Sequence, residues 1–158
     1  AVAPDAVTYG AAVTACGRGR RWQAALQLLK DAARRRVALD AGACNAAISA
    51  CEACRQWQRA LALLGGMRRS AALPDTVSYN AAISACAHGR QVLCALEVAG
   101  QMRERGLAPD AVTYVALVSA CAKGERWQGA LAALGEMRAA GCRPSLAAHT
   151  AAMLACER

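Results

Sequence analysis

The residues able to do chemistry recur in this 158-residue chain at one fixed step. Cys16, Cys51, Cys86, Cys121 and Cys156 stand 35 residues apart, and so do Asp40, Asp75 and Asp110. Asn45 and Asn80 keep the same step, as do Arg18, His88 and Lys123 in a series whose second place is held by Ala53. Thiols could form disulfides or hold a metal, carboxylates and imidazoles could move protons, and an amide offers a donor beside an acceptor.

Spacing excludes most of that chemistry. Cysteines at equivalent positions of neighbouring packed helices would lie about 8–10 Å apart, whereas a disulfide needs Cα atoms within about 7 Å. They read instead as small buried hydrophobes. Cys51-x-x-Cys54 is half of a zinc site, but no second pair stands at ligand spacing. No metal or cofactor is expected, and a reducing compartment suits so many free thiols. No His-x-Glu followed by Pro-Cys-x-x-Cys marks a deaminase, and no glycine-rich motif cradles phosphate. His88 and His149 have no Ser, Cys or carboxylate partner that sequence identifies. The segment therefore reads as non-enzymatic, with any catalytic domain lying outside it.

The step of 35 residues is itself the strongest clue to the elements that position these groups. Pro4-Asp5-Ala6-Val7-Thr8-Tyr9 returns as Pro74-Asp75-Thr76-Val77-Ser78-Tyr79 and as Pro109-Asp110-Ala111-Val112-Thr113-Tyr114. Trp22, Trp57, Val92 and Trp127 also keep the step. A fixed period of this length marks a solenoid, whose units are too small to bury a core alone and must stack. Units are read at 6–40, 41–75, 76–110 and 111–145, with a half unit at 146–158. Ala1–Asp5 reads as the tail of a preceding unit, and the whole as an excerpt of a longer protein.

Each unit predicts two helices. Tyr9, Val13 and Cys16 fall on one helical face, a stripe repeated by Ala47, Ile48 and Cys51, by Tyr79, Ile83 and Cys86, and by Tyr114, Val118 and Cys121. In the second helix Trp22, Ala25, Leu26 and Leu29 form the stripe, as do Trp57, Ala60, Leu61, Leu64 and Met67, and Trp127, Ala130, Leu131, Leu134 and Met137. These aromatic and methionine stripes are read as core. Glycine between the helices, as in His88-Gly89-Arg90, is expected to end the first helix through its tolerance of left-handed angles. Arg68, Arg69, Arg103 and Arg138 suit the C-terminal ends of second helices. Pro then stops one helix, and Asp caps the next.

The expected fold is therefore all-α: a right-handed superhelical α-solenoid with first helices on the concave side and second helices outside. Composition agrees, since 56% of residues are hydrophobic, mostly Ala, Leu and Val, with no Phe. No run of 18 apolar residues indicates a membrane span. The net charge of +8 points to an anionic partner or surface. Uncapped end faces suggest self-association as well.

Val-Thr-Tyr-x-x-x-x-x-Ala-Cys, then Gly-x-x-Trp-x-x-Ala-Leu, Met-Arg and Gly-x-x-Pro-Asp resembles the pentatricopeptide repeat over essentially the whole chain. The resemblance implies a single-stranded RNA-binding module of an organellar RNA-processing or stability factor, in mitochondrion or chloroplast, reading one base per helical repeat. It further implies that the fifth and last residues of a unit read a base together. The pairs are then Gly10 with Asp40, Asn45 with Asp75, Asn80 with Asp110, and Val115 with Ser145. An Asn/Asp pair implies uridine, Asp40 alone uracil or guanine, and Val115/Ser145 no particular base, giving 5′-(U or G)-U-U-N-3′.

The same resemblance places Val7, Gly42, Val77 and Val112 where bases are sandwiched, and Arg18, His88 and Lys123 where phosphate is met. For the last three, a solvent-exposed helix end is an equally good account. Asp at a helix start has a capping role in any case. Asn45 and Asn80 lie inside a helix, where Asn is a poor former, so base contact gives their polarity a reason. The alternative is a helical-repeat scaffold whose groove holds a peptide or protein partner.

Overall fold

The structure is a computed structural model that describes residues 4–67 and 72–157. Arg68 and Arg69, Ala1–Ala3 of the N-terminal tail, and Arg158 lie outside the described residues. Within them the chain forms α1 (Ala6–Arg18), α2 (Trp22–Arg34), α3 (Ala41–Ala53), α4 (Trp57–Met67), α5 (Thr76–His88), α6 (Val92–Glu104), α7 (Ala111–Lys123), α8 (Trp127–Ala139) and α9 (Leu146–Cys156). No strand occurs among the described residues.

Local chemistry starts the first helices. Asp5, Asp40, Asp75, Asp110 and Ser145 adopt extended backbone and accept through their side chains from the N–H three residues on. At Asp75 and Asp110 the bond is reciprocal, since the Ser78 and Thr113 hydroxyls accept from the cap's own N–H. Such a capping box satisfies two otherwise orphaned donors. The second helices α2, α6 and α8 have no side-chain cap bond. Packing must hold them, because an isolated helix of 13 residues is marginal in water.

That packing is one-dimensional. The first helices α1, α3, α5, α7 and α9 stack side by side in sequence. Each second helix packs on the first helix of its own unit and on that of the next. The result is an all-α repeat solenoid. Its core joins the predicted first-helix stripe, with Val13, Ile48, Cys51, Tyr79, Ile83, Cys86 and Val118 all at 0% exposure, to second-helix residues such as Leu64, Met102 and Met137. All nine cysteines are free, and burial pushes the Cys86 thiol up to about 12. Cys51, Cys86 and Cys121 are buried packing residues whose thiols burial makes harder to ionise.

Two expectations about the second helices and turns need correction. Trp127 and Leu131 are each 46% exposed, so their stripe is not wholly core. The reason lies in what the aromatic covers. Trp57 lies over Gly89 in the turn of the following unit, where a Cβ would sit 2.4 Å from its ring. Val92 covers Gly124 in the same way. Within these 158 residues Trp127 has no following turn to cover.

The same contacts correct the role of glycine. Gly89 and Gly124 have φ of −83° and −92°, which any residue adopts. The left-handed residues are the next ones, Arg20, Arg55, Arg90 and Glu125, with φ of 57–59°. They let Arg21, Gln56, Gln91 and Arg126 donate back to the carbonyls of Cys16, Cys51, Cys86 and Cys121, the six-to-one bond that closes a helix end. Gly89 and Gly124 are there for close approach.

Among the described residues, one buried side-chain polar atom lacks a partner. Tyr9 donates to the Asp31 carboxylate across to α2, but the hydroxyl of the fully buried Tyr79 has no hydrogen-bond partner among the described residues. Tyr79→Phe is therefore expected to leave stability unchanged or raise it by about 1 kcal/mol. Urea denaturation of the two proteins measures this, and a loss of stability would mean that the hydroxyl is paired after all.

Candidate functional site

Stacking the first helices brings residues 30 apart in sequence into contact. Asn45, in the second turn of α3, meets Asp75 at the N-terminus of α5. Asn80 on α5 meets Asp110 at the start of α7 in the same way. The Asn45 Nδ2 donates to the Asp75 carboxylate at 3.1 and 3.4 Å, and the Asn80 Nδ2 to Asp110 at 3.1 and 3.3 Å. In each case a hydroxyl completes a triangle. Ser78 Oγ donates to Asn45 Oδ1 at 2.6 Å, and Thr113 Oγ1 to Asn80 Oδ1 at 2.6 Å.

The valences left over are few and specific. Asp75 Oδ1 and Asp110 Oδ1 each accept the helix-capping N–H at 2.9 Å. The Oδ2 atoms have only the shared amide N–H at 3.3–3.4 Å. An amide carries two N–H bonds, so each pair presents one unused N–H donor beside one under-used carboxylate acceptor. Desolvation pushes the Asp75 and Asp110 carboxyls up, but hydrogen bonds from Ser78 or Thr113 and from the Asn amide outweigh it. Both carboxyls are held below their ordinary value, which keeps the acceptor charged at neutral pH.

The two outer positions are built differently. Gly10 has no side chain to meet Asp40, and the gap opens a recess of about 610 Å³ bordered by Val7, Gly10, Asp40 and Gly42. Val115 packs against the hydrophobic core, while Ser145 Oγ caps α9 at Ala148. The structure brings together two of the four pairs as polar contacts. Val7, Val77 and Val112, one residue inside each first helix, are 78%, 57% and 60% exposed. Three valines left in water at one repeat position are not there for the core. Gly42 leaves the fourth such place empty of side chain.

The other end of the first helices carries basic side chains. Arg18 and His88 are exposed and Lys123 half-buried at the last residues of α1, α5 and α7. Burial holds the His88 imidazole below its ordinary value, and the charges of Lys123 and Arg55 push it further down against the opposing pull of Glu52. Burial and Arg55 likewise lower Lys123. His88, Lys123 and Arg55 thus lie close enough for their like charges to oppose one another, with Glu52 beside them.

Ser78 and Thr113, at 0% exposure, are the polar contacts that sequence reasoning missed. Arg55 is the other omission. The signal for all three was recurrence at the 35-residue step: Thr8, Ser78 and Thr113 in one series, Arg20, Arg55 and Arg90 in another. Among the described residues no group of His, Cys, Asp and Glu side chains could hold a metal ion, and no helix is long and apolar enough to cross a membrane.

Known proteins resemble this arrangement closely. A pentatricopeptide repeat domain model matches residues 27–89, a PPR repeat family model residues 74–123, and a PPR repeat model residues 7–37 and 112–142. The pentatricopeptide repeat protein PPR10 from maize, solved in complex with an 18-nucleotide psaJ RNA element, is 30% identical and superposes with a TM-score of 0.84. The alignment covers 98% of this chain and 23% of PPR10, so the chain spans about a quarter of that protein's length. The PPR domain of Arabidopsis thaliana protein-only RNase P 1, solved with tRNA, has a TM-score of 0.80 at 16% identity, over 92% of this chain and 77% of that one. At that identity the likeness speaks to fold alone. No curated protein matches the chain in sequence.

Proposed function

Because the chain belongs to the pentatricopeptide repeat family, we propose that it is a single-stranded RNA-binding module that reads one base per repeat and favours two uridines in tandem. The observation that carries this reading is the pair of matching Asn–Asp contacts, one repeat apart, each with an unused N–H beside an under-used carboxylate oxygen. Uracil offers the complement at its centre: an N3–H for the carboxylate and a flanking carbonyl for the amide. Adenine and cytosine put an acceptor at that central position and would face the carboxylate with a lone pair. Val77 and Val112 supply exposed apolar surface beside the pairs, suited to the faces of stacked bases. The net charge of +8 and the cluster of Arg55, His88 and Lys123 suit the phosphates.

The register is 5′-(U or G)-U-U-N-3′, with Asp40 alone at the first base and no assignment at the fourth. The module contributes recognition to an organellar RNA-processing or stability factor in mitochondrion or chloroplast, and the chemistry of processing belongs to other parts of such a factor.

Short RNAs carrying UU, CC or AA in an otherwise constant strand test the proposal at two salt concentrations. UU is expected to bind tightest, with log K falling by about 0.7 per phosphate neutralised as log salt rises. Equal, salt-sensitive binding of all three would reduce the site to a basic surface. No binding at all would favour a peptide-binding scaffold.

A further inference from the structure

The Ser78 and Thr113 hydroxyls are wholly buried, yet each both accepts and donates at one place. As acceptors they take the backbone N–H of Asp75 and Asp110 at 3.1 Å. As donors they have one proton and two acceptors within reach. The Asn Oδ1 lies at 2.6 Å, and the Asp Oδ1 lies at 2.9 Å for Ser78 and 3.0 Å for Thr113. The contact to the amide oxygen is the shorter of the two, and the carboxylate oxygen already accepts the capping N–H.

This has a consequence for what the amide shows to a ligand. An Asn side chain that turned about its terminal bond would offer its carbonyl oxygen outward, an acceptor suited to the exocyclic amine of cytosine or adenine. With Oδ1 held by the hydroxyl and one N–H held by the carboxylate, the amide plane is tied at both ends and only an N–H faces out. We infer that Ser78 and Thr113 are positioning residues for specificity: they lock the Asn45 and Asn80 amides as donors and so reject bases that need an acceptor there. The inference rests on the base-reading function proposed above.

The unit read by Gly10 and Asp40 is a natural control. Ala43 stands there in place of Ser78 and Thr113, and the Asp40 carboxylate receives the Ala43 N–H at 2.9 Å with no hydroxyl beside it. A Cβ on Gly10 would meet no atom within 4 Å, so a longer side chain can be installed.

The test compares binding of RNAs with UU and with UC across the bases met by Asn45/Asp75 and Asn80/Asp110. Thr113→Val, which keeps shape but removes the hydroxyl, is expected to lower the U-over-C preference by roughly five- to tenfold at that base, while Thr113→Ser keeps it. Wild-type preference that survives unchanged in Thr113→Val would overturn the inference and leave base reading standing. Wild type without any uridine preference would instead remove base reading and the inference with it.

A constructive arm holds even where Thr113→Val weakens the helix cap. Gly10→Asn alone is expected to give a weak U-over-C choice at the first base, and Gly10→Asn with Ala43→Ser a choice roughly fivefold stronger. Equal choice by the two variants would count against the hydroxyl.

Discussion

Replacing Asn45 and Asn80 together with alanine is expected to erase uridine preference at two adjacent bases while leaving the fold intact. Each substitution should cost about 1–3 kcal/mol against its uridine. The two sites share no partner, since Asn45 bonds Asp75 and Ser78 whereas Asn80 bonds Asp110 and Thr113. Their losses should therefore come close to adding.

Stability moves little for two reasons. Alanine is the better helix former at both places, and the freed hydroxyl proton has the Asp Oδ1 at 2.9–3.0 Å to turn to. The helix caps from Asp75 and Asp110 remain. Binding isotherms for UU- and CC-containing RNA, with melting curves of the same samples, make the measurement. An unchanged UU preference would sink the assignment of both residues, and a collapsed melting temperature would mean that the amides hold the stack.

Ile83→Ala is the opposite case, a large loss of stability with no change in base choice. Ile83 is fully buried on α5, in the core continuous with Ile48 of α3 and Val118 of α7. Truncation leaves a cavity that these packed helices cannot fill, at about 2–5 kcal/mol. Because each unit is held only by its neighbours, damage in the middle unit weakens both of its interfaces. Trp127→Ala should cost less, about 1–2 kcal/mol, since nearly half of that side chain is already in water. Urea titration ranks the two, and a larger cost at Trp127 would contradict the packing described here. Below its melting point the Ile83→Ala protein should still prefer UU, because no group of either Asn–Asp pair is touched.

The 35-residue step, the paired helices and the first-helix core were legible because they are local or periodic properties. A stripe at helical spacing has one face to bury, and Asp before such a stripe has one obvious use as a cap. Family likeness named the pairing of Asn45 with Asp75 and of Asn80 with Asp110; the stack supplied the contact. Val115, drawn into packing, and Gly10, with nothing to offer Asp40, show that equal register does not make equal sites.

What the amino-acid order determined by itself, then, is the repeat, its helices and their caps, all set by interactions spanning a few residues. Only the tertiary structure decided the rest. Gly89 is a glycine because Trp57 from the previous unit lies on it. Ser78 is buried because it closes a triangle with an amide 33 residues earlier. His88 is harder to charge because partial desolvation and the charges of Lys123 and Arg55, from neighbouring units, act on it together. Each depends on how one unit is rotated and spaced against the next, a quantity that no single unit encodes and that packing between units sets.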